Sequence, residues 1–201
     1  MKRFLLICAV ILLTFANVDA ALIDKDSTIA VTDLGVLKGT SEPDINLLNA
    51  ETASSEYVIQ RLAMTKNFSV KDRSLVYEAL KNLKMFGLID PDNAKKIGKI
   101  LGVRYLVYGN VTDVSVAVEK ALVNVNTVKA HIVLRIMDVE TGKILMASKG
   151  EGTSASAFGG DENFFVIGTV KVTQTAVHNA LQKAAFQAVD VLNERLFGKS
   201  K

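Results

Sequence analysis

Cysteine is all but missing. The 201 residues contain one, Cys8, and it lies in an apolar stretch at the N-terminus. The rest of the chain therefore forms no disulfide and no thiolate metal site, and has no cysteine nucleophile. Tryptophan is absent and aromatics make up 6%, so aliphatic side chains must fill the core. Excess charge is missing too. The formal net charge is +3, and removing Lys2, Arg3 and Asp19, two cations and one anion, leaves +2. That value gives no argument for nucleic acid.

The patterns of common catalytic sites are also absent. His131 and His178 are the only histidines, and neither belongs to an HExxH or other metal-ligand spacing. Both are expected as solvated surface residues. No GxSxG marks a serine hydrolase, and no GxxxxGK[ST] marks a phosphate cradle; Gly142-Lys143 ends a turn. Gly150, Gly152, Gly159 and Gly160 lack a helix start that would aim amides at a phosphate, so they read as a flexible loop. Asp90 and Asp92 fit the start of a helix, where anions are favoured. Asp138 and Glu140 flank a turn. None of these carboxylates needs an acid–base role, and the chain implies no cofactor.

What is present begins with an export signal. Lys2 and Arg3 precede an apolar run from Phe4 to Phe15, too short to span a membrane as a mature helix. Val18-Asp19-Ala20 supplies small residues for cleavage between Ala20 and Ala21; the alternative is an uncleaved anchor. The remaining residues, 21–201, suit one domain.

Along that domain, residues 27–35, "STIAVTDLG", read as a buried first strand. A polar loop with Pro43 leads to a helix over 49–64, with Ala53, Tyr57, Val58, Arg61 and Leu62 on its buried side. Residues 68–73 alternate as a second strand. Asp72 or Ser74 caps a helix striped by Val76, Ala79, Leu80 and Leu83. In "LIDPDNAKKIGKILG", Asp90 caps, Pro91 opens, and Gly102 closes a helix whose inner face is Ala94, Ile97 and Leu101. A strand from Tyr105 to Val118 changes phase, which calls for a bulge near Thr112-Asp113. Residues 128–148 read as a hairpin around Glu140-Thr141-Gly142, with Val128, Ala130, Ile132, Leu134 and Ile136 on one face. The last element, 174–197, is a long amphipathic helix with Leu181, Ala185, Ala188, Leu192 and Leu196 toward the core, ending at Gly198.

Two further segments read as hairpins. In 112–127, Val114, Val116, Val118, Val123 and Val125 share a face. In 153–172, Ala155 and Ala157 oppose Val166, Val170 and Val172 around a turn at 159–163. One apolar and one polar face suits a pore-lining hairpin or a half-buried soluble one. The strands look shorter than the roughly 9–11 residues that a membrane strand needs.

Four blocks then stand in order: "IAVTDLG"; "RLAMTKNFSVKDRSLVYEALKNL", with Arg73 between strand and helix; "AKKIGKILGVRYLVYGNVTDV"; and "VLRIMDVETGKILMAS". Together they resemble the CsgG-like family of curli production and assembly components, across most of the chain beyond the signal. The resemblance implies an α/β fold: an anticodon-binding-domain-like sandwich, a small mixed sheet packed by helices, with two β-hairpin extensions. It implies no catalytic residue, cofactor or metal. Founding members form outer-membrane rings that export protein subunits, and their pore hairpins fall where 112–127 and 153–172 fall. Relatives of the same fold, the penicillin-binding-protein activator lipoproteins, are periplasmic and bind cell-wall synthases. This chain lacks the founders' lipid-anchor cysteine after its signal.

The expectation is a non-enzymatic exported protein of the periplasm or outer membrane. It binds protein partners as a homo-oligomer, with membrane association through the hairpins, and assists secretion or assembly of surface subunits. The alternative is a soluble periplasmic module regulating a cell-wall synthesis enzyme. The candidate contact residues are Val114, Val116, Val118, Val123 and Val125; Phe158, Phe164, Phe165 and Val166; and Lys95, Lys96 and Lys99. The lysines are equally readable as a solvated helix face. Cleavage at the expected site predicts an exported chain whose first residue is Ala21. Intact mass and N-terminal sequencing of the exported protein check this, and a retained Met1 refutes it.

Overall fold

The computed structural model describes residues 23–37, 49–84, 90–119, 125–156, 164–167 and 170–198. The expected signal segment, the expected loop with Pro43 and the expected turn at 159–163 lie outside them. In chain order the elements are β1 (Ser27–Val31), β2 (Gly35–Val36), α1 (Ala50–Thr65), β3 (Phe68–Val70), α2 (Arg73–Asn82) and α3 (Pro91–Leu101). There follow β4 (Tyr105–Glu119), β5 (Val125–Asp138), β6 (Ile144–Ser156), β7 (Phe164–Ile167), β8 (Val170–Thr173) and α4 (Gln174–Phe197).

Local chemistry sets the helix ends. Asp72 accepts from the Ser74 N–H at 2.8 Å to start α2. Asp90 accepts from the Asn93 N–H at 2.8 Å, Pro91 occupies the first turn, and Gly102 closes α3 at φ 62°. Thr173 accepts from the Ala176 N–H at 3.2 Å to start α4.

The main sheet runs β3-β1-β4-β5-β6, with β2 beside β4. β1 lies parallel to both β3 and β4, whereas β4, β5 and β6 form an antiparallel meander. The phase change expected in β4 is a bulge: Val111 pairs with Ile132, Asp113 with His131, and Thr112 is the extra residue. Helices cover both faces at one end. α1 and α4 pack on one side, over Val107, Val111, Val114 and the alternate β5 residues Val128 to Ile136. α2 and α3 pack on the other, over Ala30, Leu106, Tyr108 and Met137.

The seat of α4 on β6 departs from the expected flexible glycine loop. Gly150 and Gly152 lie mid-strand, facing the helix. A Cβ on Gly150 would sit 1.9 Å from the Ala184 carbonyl oxygen, and one on Gly152 would sit 1.9 Å from that of Ala180. The strand is glycine here because the helix backbone lies directly on it. Leu181, Val189, Leu192 and Leu196 then reach the core, each stabilising by about 1.5–3 kcal/mol.

The second expected hairpin is also redrawn. β7 pairs with β8, Phe164 opposite Thr173 and Val166 opposite Lys171. Ala155 pairs with Thr127 of β5 instead. The strand at 153–156 belongs to the main sheet because it continues β6 without a break.

Gly150→Val should cost at least about 3 kcal/mol, since a branched side chain must lift the helix. Ser148→Ala, on the same face, removes a buried hydroxyl without a hydrogen-bond partner and should leave stability unchanged or slightly higher. Urea denaturation midpoints of the two variants check the contrast.

Candidate interaction surface

Arg73 joins the two helical layers. As the first residue of α2, it donates from Nη2 to Asp33 Oδ1 at 2.7 Å, just past β1, and from Nη1 to Glu56 Oε1 at 2.8 Å on α1. One guanidinium thus ties both faces at the carboxyl end of β1. It is a structural clamp, and both its arms are taken.

Farther out, α2 and α3 do not reach. There the meander leaves one face open, and polar side chains cross it in a row set by the strand register, Asp113 opposite His131 opposite Glu151. His131 Nδ1 lies 3.2 Å from Asp113 Oδ2, and Nε2 lies 3.3 Å from Glu151 Oε1. Ser115 donates to Asp113 at 3.1 Å, and Lys149 donates to Glu151 at 2.9 Å. That hydrogen bond and the lysine charge hold the Glu151 carboxyl below its usual range. His131 is therefore no free solvated side chain; it is 26% exposed and bridges three strands. The serine bonds a carboxylate rather than the imidazole, so no activated nucleophile results. The row is a cross-strand lock with a charged outer surface.

A cleft of about 570 Å³ separates the C-terminal ends of α1 and α4, lined by Arg61, Met64, Asn67, Asp190, Asn193 and Glu194. Its walls are tied to one another. Arg61 donates to Asp190 at 2.7 and 2.9 Å, and Asn67 donates to Asn193 at 2.7 Å. His178, at the start of α4, lies 3.2 Å from the Tyr57 hydroxyl. Among the described residues no group of three His, Cys, Asp or Glu side chains suits a metal ion. Nor, among them, is any helix long and apolar enough to cross a membrane.

The expected contact residues are scattered. Val114 is fully buried, so it packs the core rather than meeting a partner; Val116 packs partly against the same core. β4 and β5 carry Val118 and Val125, and β7 carries Phe164, Phe165 and Val166. Val123 and Phe158 lie outside the described residues. Lys96 and Lys99 are exposed on α3, and Lys95 lies half-buried beside the turn at Gly142. Among those whose side chains are described, Val114 and Val116 share the core, whereas the three lysines lie apart on α3. The row that the structure does assemble, Asp113-His131-Glu151-Lys149, was not expected from the sequence. Its signal was the polar parity of β5, but the partner on β6 depends on a bulge.

The family model for "Curli production assembly/transport component CsgG" matches residues 20–200. The chain belongs to the CsgG family. Its fold is the expected α/β sandwich. No curated protein matches the sequence. Among solved structures, the hypothetical protein CT253 from Chlamydia trachomatis is 12% identical, with TM-score 0.52, covering 87% of this chain and 99% of that one. The LpoB C-terminal domain from Salmonella enterica is 19% identical, TM-score 0.46, over 66% and 85%. A PelC dodecamer subunit from Paraburkholderia phytofirmans is 9% identical, TM-score 0.41, over 83% and 89%. The description of the CsgG family is one of assembly and transport, not of catalysis.

In this CsgG-family chain, Asp138 holds the β5–β6 turn. Burial would raise its carboxyl, but the Thr141 N–H at 2.8 Å, the Thr141 hydroxyl at 3.1 Å and Arg104 outweigh that and hold it low. A depressed folded value contributes stability above the unfolded value of about 3.9, and that contribution is lost as pH falls through the folded one. Asp138→Asn should therefore lower stability at pH 7 and flatten its fall below about pH 4. Denaturation midpoints measured at pH 7 and pH 3 check both effects; equal slopes in the two proteins would contradict the assignment.

Proposed function

We propose that this chain is an exported, non-enzymatic cell-envelope protein that assists secretion or assembly of surface protein subunits, acting by protein contact as a homo-oligomer. The observation that carries this reading is the family match across residues 20–200. The described residues support it. They offer an open charged sheet face and a clamp of paired charges, and Asp90, Asp113, His131 and Asp138 are engaged in a cap, a turn and a cross-strand lock. Such a molecule acts through surface complementarity rather than bond-making.

A second reading is a soluble periplasmic accessory module that regulates a cell-wall synthesis enzyme. One observation favours it. Within 112–127, Val114 is fully buried and Val116 partly so, in the core that also holds Val128, Ala130, Val172, Ala176 and Val177. Valines that pack in their own domain's core are not offered to lipid.

Purification of the 21–201 chain without detergent, with mass determination in solution and with lipid vesicles, separates the two. The assembly reading expects a discrete multimer or capture by vesicles. A monomer that ignores vesicles and retains a cell-wall synthase from an envelope fraction would establish the second reading instead.

A further inference from the structure

Among the described residues, β6 is an edge strand of the main sheet. Edge strands expose backbone N–H and C=O groups that can accept another strand. On β6 the outward groups belong to alternate residues 147, 149, 151 and 153, as their contacts show. Lys183 donates from Nζ to the Thr153 carbonyl at 2.9 Å. The Gln187 side-chain oxygen accepts from the Glu151 N–H. Arg195 donates from Nη1 to the Ala147 carbonyl at 3.2 Å.

These three side chains leave one row of α4, spaced by four and then eight residues. Four helical residues advance about 6 Å and two strand residues about 6.6–6.8 Å, so helix and edge stay in step. Val191 is the apolar member of the row, and it falls level with Lys149. No described residue caps the outward backbone of Lys149. Donors meet carbonyls and an acceptor meets an amide, which is what a neighbouring strand would supply.

We infer that the β6 edge is an acceptor for an extended polypeptide segment, and that Lys183, Gln187 and Arg195 are displaceable stand-ins for that segment. The inference rests on the edge geometry and does not depend on how the chain assembles. The occupant is a bare strand rather than a second folded copy. Paired strands lie about 4.7–4.9 Å apart, whereas packed helices need about 8–10 Å. With α4 seated directly on β6, two folded copies pairing β6 to β6 would drive their α4 helices together. A peptide without a helix meets no such obstacle.

The chemistry favours one probe. A peptide of residues 144–156 can run antiparallel to β6 with Gly150 opposite Gly150. Lys149 then meets Glu151 of the peptide, and Glu151 meets its Lys149, on the open face. Main-chain bonds replace those of the three arms.

The test uses the 21–201 chain and the labelled peptide of residues 144–156. Lys183→Ala/Gln187→Ala/Arg195→Ala should bind it about tenfold more tightly than the unmodified chain, because three competing hydrogen bonds are gone. A peptide with Lys149→Glu should bind both chains more weakly, because its glutamate then faces Glu151. Equal affinity of the triple variant and the unmodified chain overturns the proposal, as does indifference to the peptide's charge. Hydrogen exchange on the unmodified chain gives an independent reading should the variant fail to fold. Saturating peptide should slow exchange of the Lys149 amide, and no slowing at millimolar peptide overturns the proposal equally.

Discussion

The direct contact between the backbone of α4 and that of β6 is the constraint on which the rest of the molecule leans. Alanines 180, 184 and 188 lie over Gly152 and Gly150 with no side chain between them. This proximity lets α4 hold the meander from one side and deliver its leucines and valines to the core beside α1. Move the helix outward by the width of a methyl group and the layer loses its contacts at many points together, since packed interiors do not deform smoothly. The same closeness brings the long polar side chains of the next helical row around the sheet edge.

The second constraint is the unequal reach of the two helical layers. α2 and α3 stop over the β1 end of the sheet, where Arg73 ties them to α1 through Asp33 and Glu56. α4 continues over β5 and β6. The outer part of the sheet is therefore covered on one side only, and its uncovered side must be polar. Asp113, His131, Glu151 and Lys149 fill that requirement while binding their strands to one another.

Most elements were legible in the sequence because their signals were local. Asp90, Pro91 and Gly102 marked α3 on their own, and the phase change of β4 announced its bulge. The alternating Val128, Ala130, Ile132, Leu134 and Ile136 of β5 matched the buried face residue for residue. What escaped notice was β6, for a physical reason. Counting out from the tight turn pairs Met137 with Ile144, and continuing at that offset would set His131 opposite Gly150. Leu145 is an extra residue, so Ile136 pairs with Met146 and His131 with Glu151. One unpaired residue turned a glycine-rich stretch that looks like a loop into the floor beneath a helix. It also hid the carboxylate–imidazole–carboxylate row. Val114 was misjudged for a related reason: an apolar strand face looks available until the distant parts of the core that pack with it are placed.

Both long neighbours of β5 thus carry an inserted residue, Thr112 in one and Leu145 in the other, while β5 alternates without interruption from Val125 to Asp138. The middle strand is the ruler of the sheet, and the outer two are read against it. A chain organised this way can absorb length changes on its flanks, where slack already exists. It has no such tolerance along its centre line, where one added or missing residue would exchange inside for outside over the remaining length of the strand.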